Sequence, residues 1–122
     1  MPAAIAYPQL RSICLAFPNA AEEIVGASGE HAKFTVSGNA FARFHDNHHG
    51  DGVVAVVCRA AAGMQAVLTT SDPARFFVPA YSGHRGDVGL RLDVVDMDWD
   101  QVRDVVLESY LLAATKRRRV KG

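Results

Sequence analysis

The stretch HAKFTVSGNAFARFH, residues 31–45, sets the period of the chain at two. Ala32, Phe34 and Val36 alternate with His31, Lys33, Thr35 and Ser37, which puts apolar side chains on one side of a strand and polar ones on the other. Gly38-Asn39 predicts a tight hairpin turn because both residue types tolerate positive φ. AFARFH, from Ala40 to His45, returns as the second strand. After a loop rich in glycine and histidine comes VVAVVC, from Val53 to Cys58, apolar on both faces and therefore placed inside the sheet. Three consecutive antiparallel strands make a meander.

Helical patterns flank it. Leu10, Ile13, Cys14 and Phe17 follow i, i+3, i+4, i+7, which predicts a first helix from about Pro8 to Phe17, with proline in its first turn. Pro18 ends it by steering Phe17 away from helical geometry. Glu22 to Ala27 reads as a short edge strand. Downstream, Ala60 to Leu68 is alanine-rich with Met64, Val67 and Leu68 at helical spacing. Asp72-Pro73 predicts a short helical restart, with Asp72 as N-cap. Phe76, Phe77 and Tyr81 supply bulky packing groups before a glycine-rich turn, residues 82–86. Val88, Leu90, Leu92 and Val94 alternate with Gly89, Arg91 and Asp93 as the last strand.

The final helix carries the clearest start signal. Asp98 and Gln101 form a capping-box pattern, with Met97 and Val102 placed as a hydrophobic staple. Trp99, Val102, Val106, Tyr110 and Ala113 trace its core-facing stripe. The whole order predicts an α+β two-layer domain: an antiparallel sheet, made of the meander plus a later strand, with helices mainly on one face. With 122 residues, the chain is expected to be one domain, 1–122, with a short basic tail at 116–122.

Composition narrows the function classes. No window approaches the ~18 uninterrupted apolar residues of a membrane span, and the first residues lack the basic and apolar regions of a signal peptide. Cys14 and Cys58 fall in apolar elements and read as buried thiols of a cytoplasmic protein. Net charge is zero but uneven: residues 1–115 hold eight basic and thirteen acidic side chains. Lys116, Arg117, Arg118, Arg119 and Lys121 restore the balance, at the end of a helix whose dipole favours cations there.

No catalytic signature is present. Neither cysteine sits in a glycine-framed elbow, and G-x-S-x-G, G-x-x-x-x-G-K and G-x-G-x-x-G all fail to match. His45, His48 and His49, with Asp46 and Asp51, have metal-ligand chemistry, but they crowd one hairpin loop and read as solvated. The expectation is therefore a nonenzymatic protein with no metal and no cofactor. Lys33, Arg43 and Arg91 project from the polar faces of strands, and whether they share one face depends on strand pairing. His84 and Arg85 stand at a turn tip.

The chain resembles the MmcQ/YjbR family of small bacterial proteins in four stretches of matching order and spacing. These are LRSICLAFPNAAEE, VSGNAFARF, DPARFFVPAYSGHRG and LESYLLAATKRR, which together cover nearly its whole length. The resemblance implies an α+β domain whose antiparallel sheet has been likened to a double-wing DNA-binding arrangement, and it implies no catalytic residue or cofactor. DNA is the partner so implied. Lys33, Arg43, His84, Arg85, Arg91, Lys116, Arg117, Arg118 and Arg119 are the residues here that would meet it, in a monomer with no membrane contact. The chain departs from the family at Asp87, where many relatives carry tryptophan, and at Ala114-Thr115, where alanine-proline is frequent. A second reading makes the domain a protein- or small-molecule-interaction module, using the sheet face and the aromatic cluster from Phe76 to Tyr81.

Overall fold

The computed structural model describes residues 2–25, 31–46 and 52–115. Its elements are α1 (Ala3–Leu15), β1 (Ala20–Val25), β2 (His31–Val36), β3 (Asn39–Asp46) and β4 (Val54–Cys58), followed by α2 (Met64–Ser71), β5 (Phe76–Phe77), β6 (Val88–Arg91) and α3 (Trp99–Thr115). A single turn of 3₁₀ helix, Gly83–Arg85, links β5 to β6. The fold is α+β, with six antiparallel strands in the order β1-β2-β3-β4-β6-β5. The meander forms as expected, extended at the edge by β1, which begins at Ala20 where a strand from Glu22 to Ala27 is expected; residues 26 and 27 lie outside the described residues.

Pairing register gives the sheet two unlike faces. Ala32, Phe34 and Val36 of β2, Ala42 and Phe44 of β3, Val56 and Cys58 of β4, and Val88 and Leu90 of β6 are buried together. Against them pack Ala6, Leu10 and Cys14 of α1 and Val102, Val106, Tyr110 and Ala113 of α3. Among the described residues, the opposite face carries no α-helix. β4 lies inside the sheet with Ala55, Val56, Val57 and Cys58 all buried, as its two-sided apolar run required.

An irregularity between Phe34 and Thr35 sets Phe34 against Ala42 and Thr35 against Ala40, so Phe41 is the extra residue of a β-bulge. Phe41 turns into the core and meets Tyr110 edge-on, with centroids 5.3 Å apart, while Phe17 stacks on Tyr110 at 4.9 Å. Tyr110 Oη also donates to the Pro18 carbonyl at 2.7 Å, so this trio ties the end of α1 to α3. Ser109, fully buried, accepts from the Arg59 amide at 2.8 Å and donates to the Phe41 carbonyl. It thereby satisfies backbone groups that the bulge and the end of β4 leave without ladder partners.

Five expectations are corrected. Helix α1 starts at Ala3, not near Pro8, because the alanine-rich first turn is itself a good helix former, and exposed Pro8 sits inside it. The hairpin turn is Ser37-Gly38, with φ of 51° and 79°, while Asn39 already pairs with Val36 and donates its side-chain amide to the Ala113 carbonyl at 3.1 Å. Helix α2 runs from Met64 to Ser71, since Gly63 takes a positive φ of 83° and stands outside it. Asp72 caps no helix. It closes α2, its carbonyl accepts from the Phe76 amide at 3.0 Å, and the chain turns directly into β5. The last strand ends at Arg91, before Val94. At the start of α3, Asp98 does cap: its Oδ1 accepts from the amides of Asp100 and Gln101, both at 3.1 Å.

Candidate functional site

The open face, which carries no α-helix among the described residues, collects the cations of the alternating strands. Cross-strand register makes Glu23, Lys33, Arg43, Val57 and Gly89 successive members of one row, with Phe77 at its end on β5. The next row reads Val25, His31, His45, Ala55 and Arg91. Lys33, Arg43 and Arg91 therefore share the open face, because each alternates with a buried residue on its own strand. The His31 and His45 rings lie beside one another, centroids 5.5 Å apart.

Charge on this face is partly cancelled. Lys33 Nζ lies 3.3 Å from Glu23, and Arg91 Nε lies 3.0 Å from Asp93. Burial alone would raise the Asp93 carboxyl, but hydrogen bonds from Arg91 and from the Val54 amide, with the charge of Arg91, bring it below its ordinary value. Asp93 is thus held ionised against Arg91. Arg43 and Arg85 differ: neither has an ion-pair or side-chain hydrogen-bond partner among the described residues.

The link from β5 to β6 folds back over this face and makes a cleft of about 270 Å³. Val57 and Ala55 form part of its lining, Phe77, Pro79 and Tyr81 contribute ring surface, and Arg43, His45 and Arg85 bring the polar groups. Gly89 is what lets Phe77 settle there, since a Cβ at that position would collide with the Phe77 ring. Gly83 is equally constrained, because its Cβ would strike Val78. The segment is anchored from behind by Gln65 of α2, which donates to the carbonyls of Gly83 at 2.7 Å and Asp87 at 2.6 Å.

A second cleft, of about 170 Å³, adjoins the first and shares Arg43 and Arg85 with it. Arg59 and Asp87 also line it. Arg59 is committed structurally, its Nε donating to the Ala40 carbonyl at 2.8 Å. Cys58 lies at this cleft too, but burial pushes its thiol, like that of Cys14, well above the ordinary value. Both cysteines are therefore poor nucleophiles as they stand.

Of the residues anticipated from sequence, Lys33, Arg43, Arg85 and Arg91 come together on or over one face. His84 is exposed on the same turn as Arg85 but lines neither cleft. Lys116, Arg117, Arg118 and Arg119 lie outside the described residues, as do His48, His49 and Asp51 of the histidine loop. Among the described residues no three or more histidine, cysteine or acidic side chains are grouped to hold a metal ion. Sequence reasoning treated Phe76, Phe77 and Tyr81 as one cluster, whereas Phe76 is buried in the core, Phe77 is half-buried on the open face and Tyr81 is 68% exposed. Alternation along Phe76-Phe77 was the available signal for that split. The neutralising role of Glu23 depended on the β1–β2 register and had no signal of its own, whereas Asp93, two residues from Arg91, shares its face by alternation alone.

A model of the YjbR family matches residues 15–112, which span the meander, both clefts and most of α3. The chain belongs to the YjbR family. Its fold is also similar to that of Deinococcus radiodurans protein DR2400, a DUF419 domain protein known from a crystal structure. The TM-score is 0.73 at 18% identity, over 90% of this chain and 79% of that one. At that identity the likeness to DR2400 is one of fold. No curated protein matches the chain. Among the described residues no helix is long and apolar enough to cross a membrane.

Proposed function

We propose that this YjbR-family chain is a nonenzymatic DNA-binding module that uses the helix-free face of its sheet. The observation that supports this most is the convergence of Lys33, Arg43 and Arg91 on that face, with Arg85 above it. Because Glu23 and Asp93 cancel part of the charge of Lys33 and Arg91, the phosphate contacts rest mainly on Arg43 and Arg85. The acidic balance of residues 1–115 keeps binding confined to this patch instead of spread over the surface. Up to four such contacts give a slope of log affinity against log salt of about −3 to −4. Fluorescence anisotropy with labelled single- and double-stranded oligonucleotides at ~50 mM salt is the test, since counterion release favours binding most at the low end of the range. Binding to neither form would contradict the proposal.

The cleft beside Tyr81 supports a second reading, in which the same face takes a small ligand or a protein segment. Its ring surfaces and its volume of about 270 Å³ suit one compact apolar group flanked by arginines. That reading predicts binding with little salt dependence, driven by Phe77 and Tyr81 and not by buried Phe76.

A further inference from the structure

We infer that the cleft under the 78–85 segment receives an unpaired base of a single-stranded nucleic acid, while Arg43 and Arg85 take the adjoining phosphates. This rests on the DNA-binding reading above and specifies the form of nucleic acid. Several independent features lead to it. The cleft, at about 270 Å³, falls just below the range of about 300–1,000 Å³ typical for drug-sized ligands. It suits one planar group and little more. Its lining is ring and aliphatic surface from Val57, Phe77, Pro79 and Tyr81, and Tyr81 stands 68% exposed where a base can lie against it. Every base offers a π-face, so such a platform binds without reading sequence.

The polar groups are placed to match. Arg43 and Arg85 line the cleft and have no ion-pair or side-chain hydrogen-bond partner among the described residues, so an incoming phosphate need displace no carboxylate. Lys33, directly across from Arg43 in the β2–β3 register, extends the row of cations beyond the cleft, though Glu23 neutralises part of its charge. A free nucleotide has no use for that extension, whereas a strand continues along it. A duplex keeps its bases stacked inside, and could engage the arginines but not the cleft.

The test is anisotropy at ~50 mM salt with labelled oligothymidylate of about 12 nucleotides, within the usual site size of ~4–16, and with a duplex of equal length. The expected result is single-strand binding at least about tenfold tighter than duplex binding, the effect of one stacked base. Tyr81→Ala should weaken the single strand by on the order of tenfold and leave the duplex unchanged, while Tyr81→Phe keeps near-native affinity. Equal or tighter duplex binding, or indifference of the single strand to Tyr81→Ala, would overturn this inference and leave the DNA-binding proposal standing. Thymidine monophosphate competing at the same concentration as the oligonucleotide would also overturn it, in favour of a mononucleotide site. Binding of neither oligonucleotide would overturn both.

Discussion

Tyr7 shows how a single side chain can report on the packing of this domain. Its hydroxyl donates to Glu22 on β1, and Arg11 closes on the same carboxylate at 3.0 Å. Burial, followed by the hydrogen bond to Glu22, pushes the phenol up to about 12. A folded value above the unfolded one means that the contribution is intact below pH ~10 and is lost as pH rises from there toward about 12. Spectrophotometric titration of the native protein should show a late tyrosinate transition that Tyr7→Phe abolishes. Asp87 is the informative acidic residue, because it lines the second cleft together with Arg43 and Arg85. Replacing it with asparagine removes a like-charge repulsion against an incoming phosphate, worth below about 1 kcal/mol in water beyond ~4 Å. Asp87→Asn should therefore tighten oligonucleotide binding about twofold at low salt, with unchanged stability, as measured by anisotropy and thermal unfolding.

Strand β3 and helix α3 depend on each other through Ser109. Its hydroxyl serves the Arg59 amide and the Phe41 carbonyl, and it is wholly buried. Ser109→Ala leaves the buried Phe41 carbonyl and the part-buried Arg59 amide without this partner and should cost about 1–3 kcal/mol, read as a lower urea midpoint with the same slope. No pattern in the sequence pointed to this serine, because its partners exist only once the bulge at Phe41 and the end of β4 have been placed. The elements that were legible are those whose signal is local: alternation in β2 and β3, the two-sided apolar run of β4, and the Asp98 cap of α3. Those misplaced lie where local propensity competed with pairing. Asp72-Pro73 carries helix-start chemistry, yet Phe76 and Phe77 pair with Leu90 and Gly89, and that pairing prevails. The hairpin turn slipped by one residue because Ser37, Gly38 and Asn39 all suit turns, and only the bulge fixes which two are used.

Across the whole domain, one face of the sheet is spent on the core and the other is left open. The cations of the open face were all visible in the sequence, but their convergence was not, since a register change by one residue would have sent Lys33, Arg43 and Arg91 to the opposite side. The cleft was less legible still. It exists because Gly89 admits the Phe77 ring and because Gln65 holds the 78–85 segment from behind, both of them long-range relations. The family match agrees with this architecture and leaves the binding surface to be tested directly. The most direct measurement compares the native chain with the Arg43→Gln, Arg85→Gln double variant, by oligonucleotide anisotropy across a salt series from ~50 to ~200 mM. The prediction is measurable binding by the native chain, with a salt slope that becomes shallower by about 1.5–2 in the variant as two phosphate contacts are lost. An unchanged affinity and slope in the variant, or no binding by the native chain at the lowest salt, would contradict it.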